Sequence, residues 1–335
     1  MRESELVRPG EVRESGRREG RRKRRGEQAM VPEAQFTSYY GMPVLNKPVW
    51  KPLDIAGYLF LGGLAGGSSL LAAGAQATGR HELARSAKLG AFGAISLSLV
   101  ALIHDLGRPA RFLNMLRVAK PTSPMSMGSW LLMGYGPLAG AAALTDVTGR
   151  FRRIGSLATT GAAVLGPAVA TYTAVLVSDT AVPSWHEGYR QMPFVFAGSG
   201  AAAAGGLGLI CAPAGPARRL GVLGAATELG AVRVMKQRMG LASEPYEQGR
   251  AGRLMRASEA LTATGSAMAV LSGLVKPGRQ SRICAAAAGA ALMAGSAALR
   301  FGVFHAGVAS AEDPKYTVVP QRERRGRTFS PDAQG

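Results

Sequence analysis

A small set of polar residues, set into or at the edges of long apolar runs, carries the chemistry open to this chain. His104 and Asp105 close one run, and Asp54 opens the run before it. Tyr172 and Glu228 lie inside runs, while Asp179, Glu259 and His305 sit at their ends. Imidazole and carboxyl groups exchange protons, and a phenol donates a hydrogen bond. In an apolar surround such groups are costly, so each is a functional candidate. Glu228 is the sharpest case, because a carboxylate well inside an apolar span needs a partner or a proton.

The elements that must position these residues follow from the apolar runs. The 335 residues include 45 Gly and only 18% charged residues. A helix crossing a bilayer needs about 17–25 mostly apolar residues. Segments 54–77, 86–104, 127–145, 154–178, 192–212, 217–235, 258–275 and 283–305 qualify. The expectation is an all-α integral membrane protein, a bundle of about eight transmembrane helices with both termini on one side, the terminal face. Residues 1–52 then form a basic tail, 53–306 the membrane domain and 307–335 a polar C-terminal tail. In the first helix, Gly62/Gly66 and Gly63/Gly67 have the spacing that lets helix backbones approach closely. A phosphate-binding loop there would need a Walker lysine and a strand–turn–helix context, and has neither.

Composition excludes several classes. Cys211 and Cys284 stand singly, so no disulfide framework and no iron–sulfur site is encoded. The net charge of +19 and the run RRKRR at 21–25 suit a solvated tail near anionic lipid, and no nucleic-acid motif follows. No nucleic-acid partner is expected. No apolar stretch follows the arginines before residue 53, so a signal peptide is not expected. Loop Lys and Arg are evenly divided between the two faces. The tail arginines tip the orientation toward a cytoplasmic terminal face in the cell membrane.

On the eight-helix map, Asp54, His104, Asp105, Tyr172, Asp179, Glu228, Glu259 and His305 all fall in the half nearer the terminal face. The opposite half is expected to hold almost no buried charge. A one-sided polar pocket could bind a quinone, ligate haem, carry a substrate or ion, or only join helices. Haem needs two facing histidines, and His104 and His305 both lie at helix ends. A transporter should show inverted repeats or broken helices. None is evident, although Pro137 and Pro167 could kink their helices.

Three strings carry a family resemblance: PLDIAGYLFLGGLAGGSSLLA, HDLGRPARFLNMLRVAKPTSPMSMGSW, and YTAVLVSDTAVPSWHE followed by MPFVFAGSGAAAAGG. In order and spacing, over about residues 44–308, they resemble the NrfD/polysulfide-reductase membrane-subunit family. The resemblance implies an eight-helix, haem-free anchor that binds menaquinone or ubiquinone near the face that docks a four-cluster ferredoxin-like iron–sulfur subunit. That subunit connects it to a molybdopterin catalytic subunit. It further implies quinone contacts at the start of helix 1 and on helix 4, which are Asp54, Tyr58 and Tyr172 here. Asp54 stands where the family's best-known member has histidine.

The resemblance thus leads to a working expectation. Tyr172 and His104 hydrogen-bond the quinone oxygens, Asp54 exchanges a proton, and Asp105 orients His104 or is neutralised by Arg108. Asp105, Asp179, Glu228 and Glu259 are candidates for proton transfer, or else for interhelical hydrogen bonding. Arg108, Arg111, Asn114, Trp185 and His186 are expected to form the docking surface. Such a subunit works only within its complex, and no metal ligands are assigned in this chain. A formate dehydrogenase-like complex of anaerobic respiration using menaquinone leads the expectations, beside a polysulfide reductase-like one. A transporter or proton-conducting channel without redox partner is the competing class.

Overall fold

The computed structural model describes residues 44–108, 110–213 and 215–328. The RRKRR run and most of the expected basic tail lie outside them. Among the described residues every regular element is helical. Two long helices come first, α1 (Pro52–Ala77) and α2 (His81–Asp105). A short α3 (Ala110–Met115) leads into α4 (Pro124–Thr148) and α5 (Arg152–Ser178). A single turn, α6 (Pro183–His186), precedes α7 (Met192–Cys211) and α8 (Gly215–Met239). A 3₁₀ segment, Gly240–Tyr246, leads to α9 (Gly249–Leu274), α10 (Arg279–Glu312) and α11 (Lys315–Thr328).

Helices α1, α2, α5, α7 and α10 are long and apolar enough to cross a membrane. Helices α4, α8 and α9 have spanning length, but Gly, Pro and polar residues dilute α4, and charged residues interrupt α8 and α9. The protein is an all-α multi-pass membrane protein.

The long helices pack as consecutive hairpins: α1 with α2, α4 with α5, α7 with α8, α9 with α10. Helix α1 also meets α5, α7 and α10. Its glycines make this possible. A Cβ on Gly66 would collide with the Gly166 carbonyl of α5, and one on Gly67 would lie 2.6 Å from the Gly200 carbonyl of α7. Gly62 is different, for a Cβ there would meet only Ser98 Oγ at 3.8 Å.

One end of the bundle is tied by polar and aromatic contacts. Lys47, just before α1, pairs with Glu312 at the end of α10 at 2.5 Å. Trp185 of α6 stacks on Trp50 with centroids 5.7 Å apart and donates from Nε1 to the Val303 carbonyl at 2.8 Å. The Tyr246 hydroxyl donates to the Ser184 carbonyl at 2.9 Å, and burial pushes its pKa up, so it stays a donor. Among the described residues, eight long helices thus bring the end of α10 back to the end of the bundle where α1 begins.

The opposite end departs from expectation. Lys88 of α2 is buried and pairs with Asp146 of α4 at 2.8 Å. That half therefore does hold a buried charge. A Lys one turn or two inside a helix can be buried when a carboxylate on the neighbouring helix neutralises it, and α2 and α4 are in contact.

Candidate functional site

Tyr172 belongs to the inward side of α5. Its ring lies against Gly128 of α4, where a Cβ would collide with it, and meets the Tyr58 ring edge-on with centroids 6.5 Å apart. The Tyr172 hydroxyl is buried and has no hydrogen-bond partner. Beside it opens a cavity of about 610 Å³ with apolar walls from Met127 and Val175 and polar groups from Ser178, Asp179, His186 and Tyr189. The Ser178 hydroxyl is likewise buried without a partner. A free buried hydroxyl is costly in an empty protein, and a ligand oxygen would relieve it.

His186 sets the second polar contact. Its Nδ1 lies 3.1 Å from the Ser178 carbonyl, which can only accept, so Nδ1 carries the proton. In the neutral ring Nε2 is then an acceptor. His186 stacks on Tyr189, whose hydroxyl accepts from Arg190 Nε at 2.8 Å. The cavity lining thus brings a tyrosine, a serine and an imidazole acceptor together within apolar walls. This arrangement suits a flat apolar molecule bearing two ring oxygens.

Asp54 and His104 form a separate pair. Asp54 Oδ2 lies 2.8 Å from His104 Nδ1, joining the start of α1 to the end of α2. The His104 side chain is 65% exposed and that of Asp54 13%. Neither lines the cavity. Tyr58, one turn along α1 from Asp54, meets the Tyr172 ring of the cavity wall. Asp105 does not orient His104, contrary to expectation: its Oδ1 accepts from the Lys51 backbone N–H at 3.2 Å. Neighbouring side chains on a helix diverge by about 100°, so His104 and Asp105 cannot both face Asp54. Arg108 is exposed and forms none of the ion pairs among the described residues.

Glu228 lies in a second buried cluster, away from the cavity. Its Oε1 accepts from the Thr262 hydroxyl at 2.9 Å and from Ser258 at 3.4 Å, and its Oε2 has no partner. Opposite stands Arg300 of α10, fully buried and not anticipated from the sequence. Its Nη2 donates to the Phe196 carbonyl at 2.9 Å, and the guanidinium lies 3.6 Å over the Phe196 ring. Its Nε and Nη1 have no partner, and its charge acts on Glu228. The missed signal was a lone arginine within the apolar stretch AALRFGVF. Glu259 is not in this cluster, for it pairs with Lys236 at 2.8 Å on a partly exposed face. Asp179 is exposed at the rim of the Tyr172 cavity. His305 is half-buried, and its Nε2 has no partner.

The expected docking residues divide. Arg108, Arg111 and Asn114 are exposed around α3, with Arg111 Nη1 donating to the Leu106 carbonyl at 3.3 Å. His186 lines the cavity. Trp185 is corrected: it is 1% exposed and locked between Trp50, Phe304 and Gly307, so it offers no surface to a partner.

A family model described as polysulphide reductase, NrfD, matches residues 42–219. The matched span holds Asp54, Tyr58, His104, Tyr172 and the whole cavity lining, whereas Glu228 and Arg300 lie beyond it. No curated protein matches the chain.

Proposed function

The chain belongs to the NrfD polysulphide-reductase family, and from that premise we propose that its Tyr172 cavity is where a multisubunit oxidoreductase exchanges electrons with membrane quinone. The family makes the chain a membrane subunit of the polysulphide-reductase type. The proposed partners are a four-cluster iron–sulfur protein and a molybdopterin catalytic subunit, and the proposed location is the cell membrane. Formate remains the leading substrate for the distant catalytic subunit, with menaquinone as the carrier.

The observation that carries this reading is Tyr172 itself, which lines a 610 Å³ cavity and has a buried hydroxyl without a hydrogen-bond partner. Quinone reduction consumes two electrons and two protons and gives a quinol. The iron–sulfur partner would supply the electrons. Tyr172 O–H would donate to one ring oxygen, and His186 Nε2 would accept from the hydroxyl at the other when quinol binds. Asp179 at the rim offers a proton route to water. Replacing Tyr172 by Phe in the assembled complex should lower quinone-dependent turnover about tenfold, the worth of one charge-developing hydrogen bond. Electron transfer to a soluble dye through the iron–sulfur partner should be unchanged. Unchanged quinone turnover would sink the proposal.

A second reading, proton translocation through the α7–α10 half, is favoured by the buried Glu228–Arg300 cluster with its unpartnered atoms. Proton flux in liposomes that contain the chain without redox partners, abolished by Glu228→Gln, would establish it.

A further inference from the structure

The end of the bundle away from the start of α1 and the end of α10 holds a cationic cavity that the redox chemistry does not use. It lies where α8 begins, α9 ends and α10 begins, encloses about 270 Å³, and is lined by Arg218, Ser272, Gly273, Pro277, Ser281 and Arg282. Arg218 is held in place by its neighbour: a Cβ on Gly273 would overlap its guanidinium, so the glycine lets the flat group lie across the end of α9. The Nε of Arg218 is buried and has no hydrogen-bond partner. Ser281 Oγ donates to the Ser272 carbonyl at 2.8 Å, and Ser272 Oγ donates to Ala269 at 2.7 Å, so both hydroxyl oxygens are left only to accept. The unspent donors of the cavity are therefore the arginines.

Charge balance sharpens the point. Segments 212–222 and 272–285 contain Arg218, Arg219, Lys276, Arg279 and Arg282 and no Asp or Glu. None of these five is in an ion pair among the described residues. The positive end of α10, which starts at Arg279, faces the same space. Two guanidinium groups with unused N–H donors, in a cavity whose lining has no carboxylate, suit an oxyanion such as phosphate. The cavity lies at the start of α10, a helix long and apolar enough to cross a membrane, so a headgroup could reach it.

We propose that this cavity is a phosphate site, bound by Arg218 and Arg282, which takes the phosphodiester of an anionic phospholipid or free phosphate. Arg218 supplies a donor fixed by Gly273, and the exposed Arg282 closes over the ligand from the first turn of α10.

Native mass spectrometry of the detergent-purified full chain tests it, with phosphatidylglycerol, cardiolipin, phosphatidylcholine and inorganic phosphate as probes. Anionic lipid should bind to the wild type, and Arg218→Gln with Arg282→Gln should weaken it about tenfold or more. Arg282→Gln alone, at an exposed position, keeps the fold and should show part of the loss. Arg218→Lys with Arg282→Lys, which keeps the charge, should bind more tightly than the Gln pair. Arg219→Gln with Arg279→Gln removes the same charge outside the cavity and should leave binding unchanged. If phosphate alone raises the unfolding temperature in the wild type and not in the Gln pair, the ligand is the free ion; if only lipid does so, it is a headgroup. Equal loss in the Arg219/Arg279 variant, or no binding of any probe, overturns the proposal.

Discussion

His104 Nδ1 and Asp54 Oδ2 stand 2.8 Å apart, so a side-chain contact joins the last turn of α2 to the first turn of α1, beside the Asp105–Lys51 bond. The two residues form a unit, and a double-mutant cycle should show it. His104→Ala and Asp54→Ala should each lower quinone-dependent turnover, and the double variant should be little worse than either. Additive losses would mean that the two residues act independently. Because His104 is largely exposed, their coupling in stability should stay within about 1 kcal/mol.

The approach of α1 to α5 should be intolerant of even one methyl group. Gly66→Ala should lower the unfolding temperature and the folded yield, because its Cβ meets the Gly166 carbonyl rather than a movable side chain. Gly57→Ala, on the same helix with open space around it, should be neutral or stabilise by about 0.5–1 kcal/mol through its higher helix propensity. Equal effects of the two would refute close packing at Gly66.

Glu228 and Arg300 should matter more to each other than either does alone. Arg300→Met or Glu228→Leu leaves an uncompensated buried charge and should cost about 3–5 kcal/mol. The double variant should recover most of that loss. Detergent-dependent unfolding of the three variants measures it, and a double variant as unstable as the sum of the singles would exclude the pairing.

Trp185 should act on stability and not on docking. Trp185→Phe removes the 2.8 Å bond to the Val303 carbonyl and should cost about 1–3 kcal/mol in the unfolding midpoint. Copurification of an iron–sulfur partner should persist. By contrast, Arg108→Glu with Arg111→Glu on the exposed α3 surface should weaken that association.

The apolar runs by themselves determined that the chain is an all-α membrane protein, because runs of about 20 residues suit a spanning helix, whereas a barrel strand needs only about 9–11. The glycine blocks announced close helix contacts, and the HDLGRP connection with the Tyr172 segment carried the family. Azimuth was beyond reach. Hydropathy says that a helix is buried or faces lipid, not how far it is rotated or which neighbour it faces. Hence Asp105 was expected beside His104 and turned instead to Lys51, and Trp185 was expected on a surface it never reaches. The carboxylate that Arg300 acts on, Glu228, lies two helices away in sequence, on α8, and only packing brings the two into one cluster. His186, expected in a docking loop, is exposed and also lines the cavity, which its sequence did not reveal: α6 is a single turn, and its direction is set by Trp50, Val303 and Ser310 rather than by its own four residues.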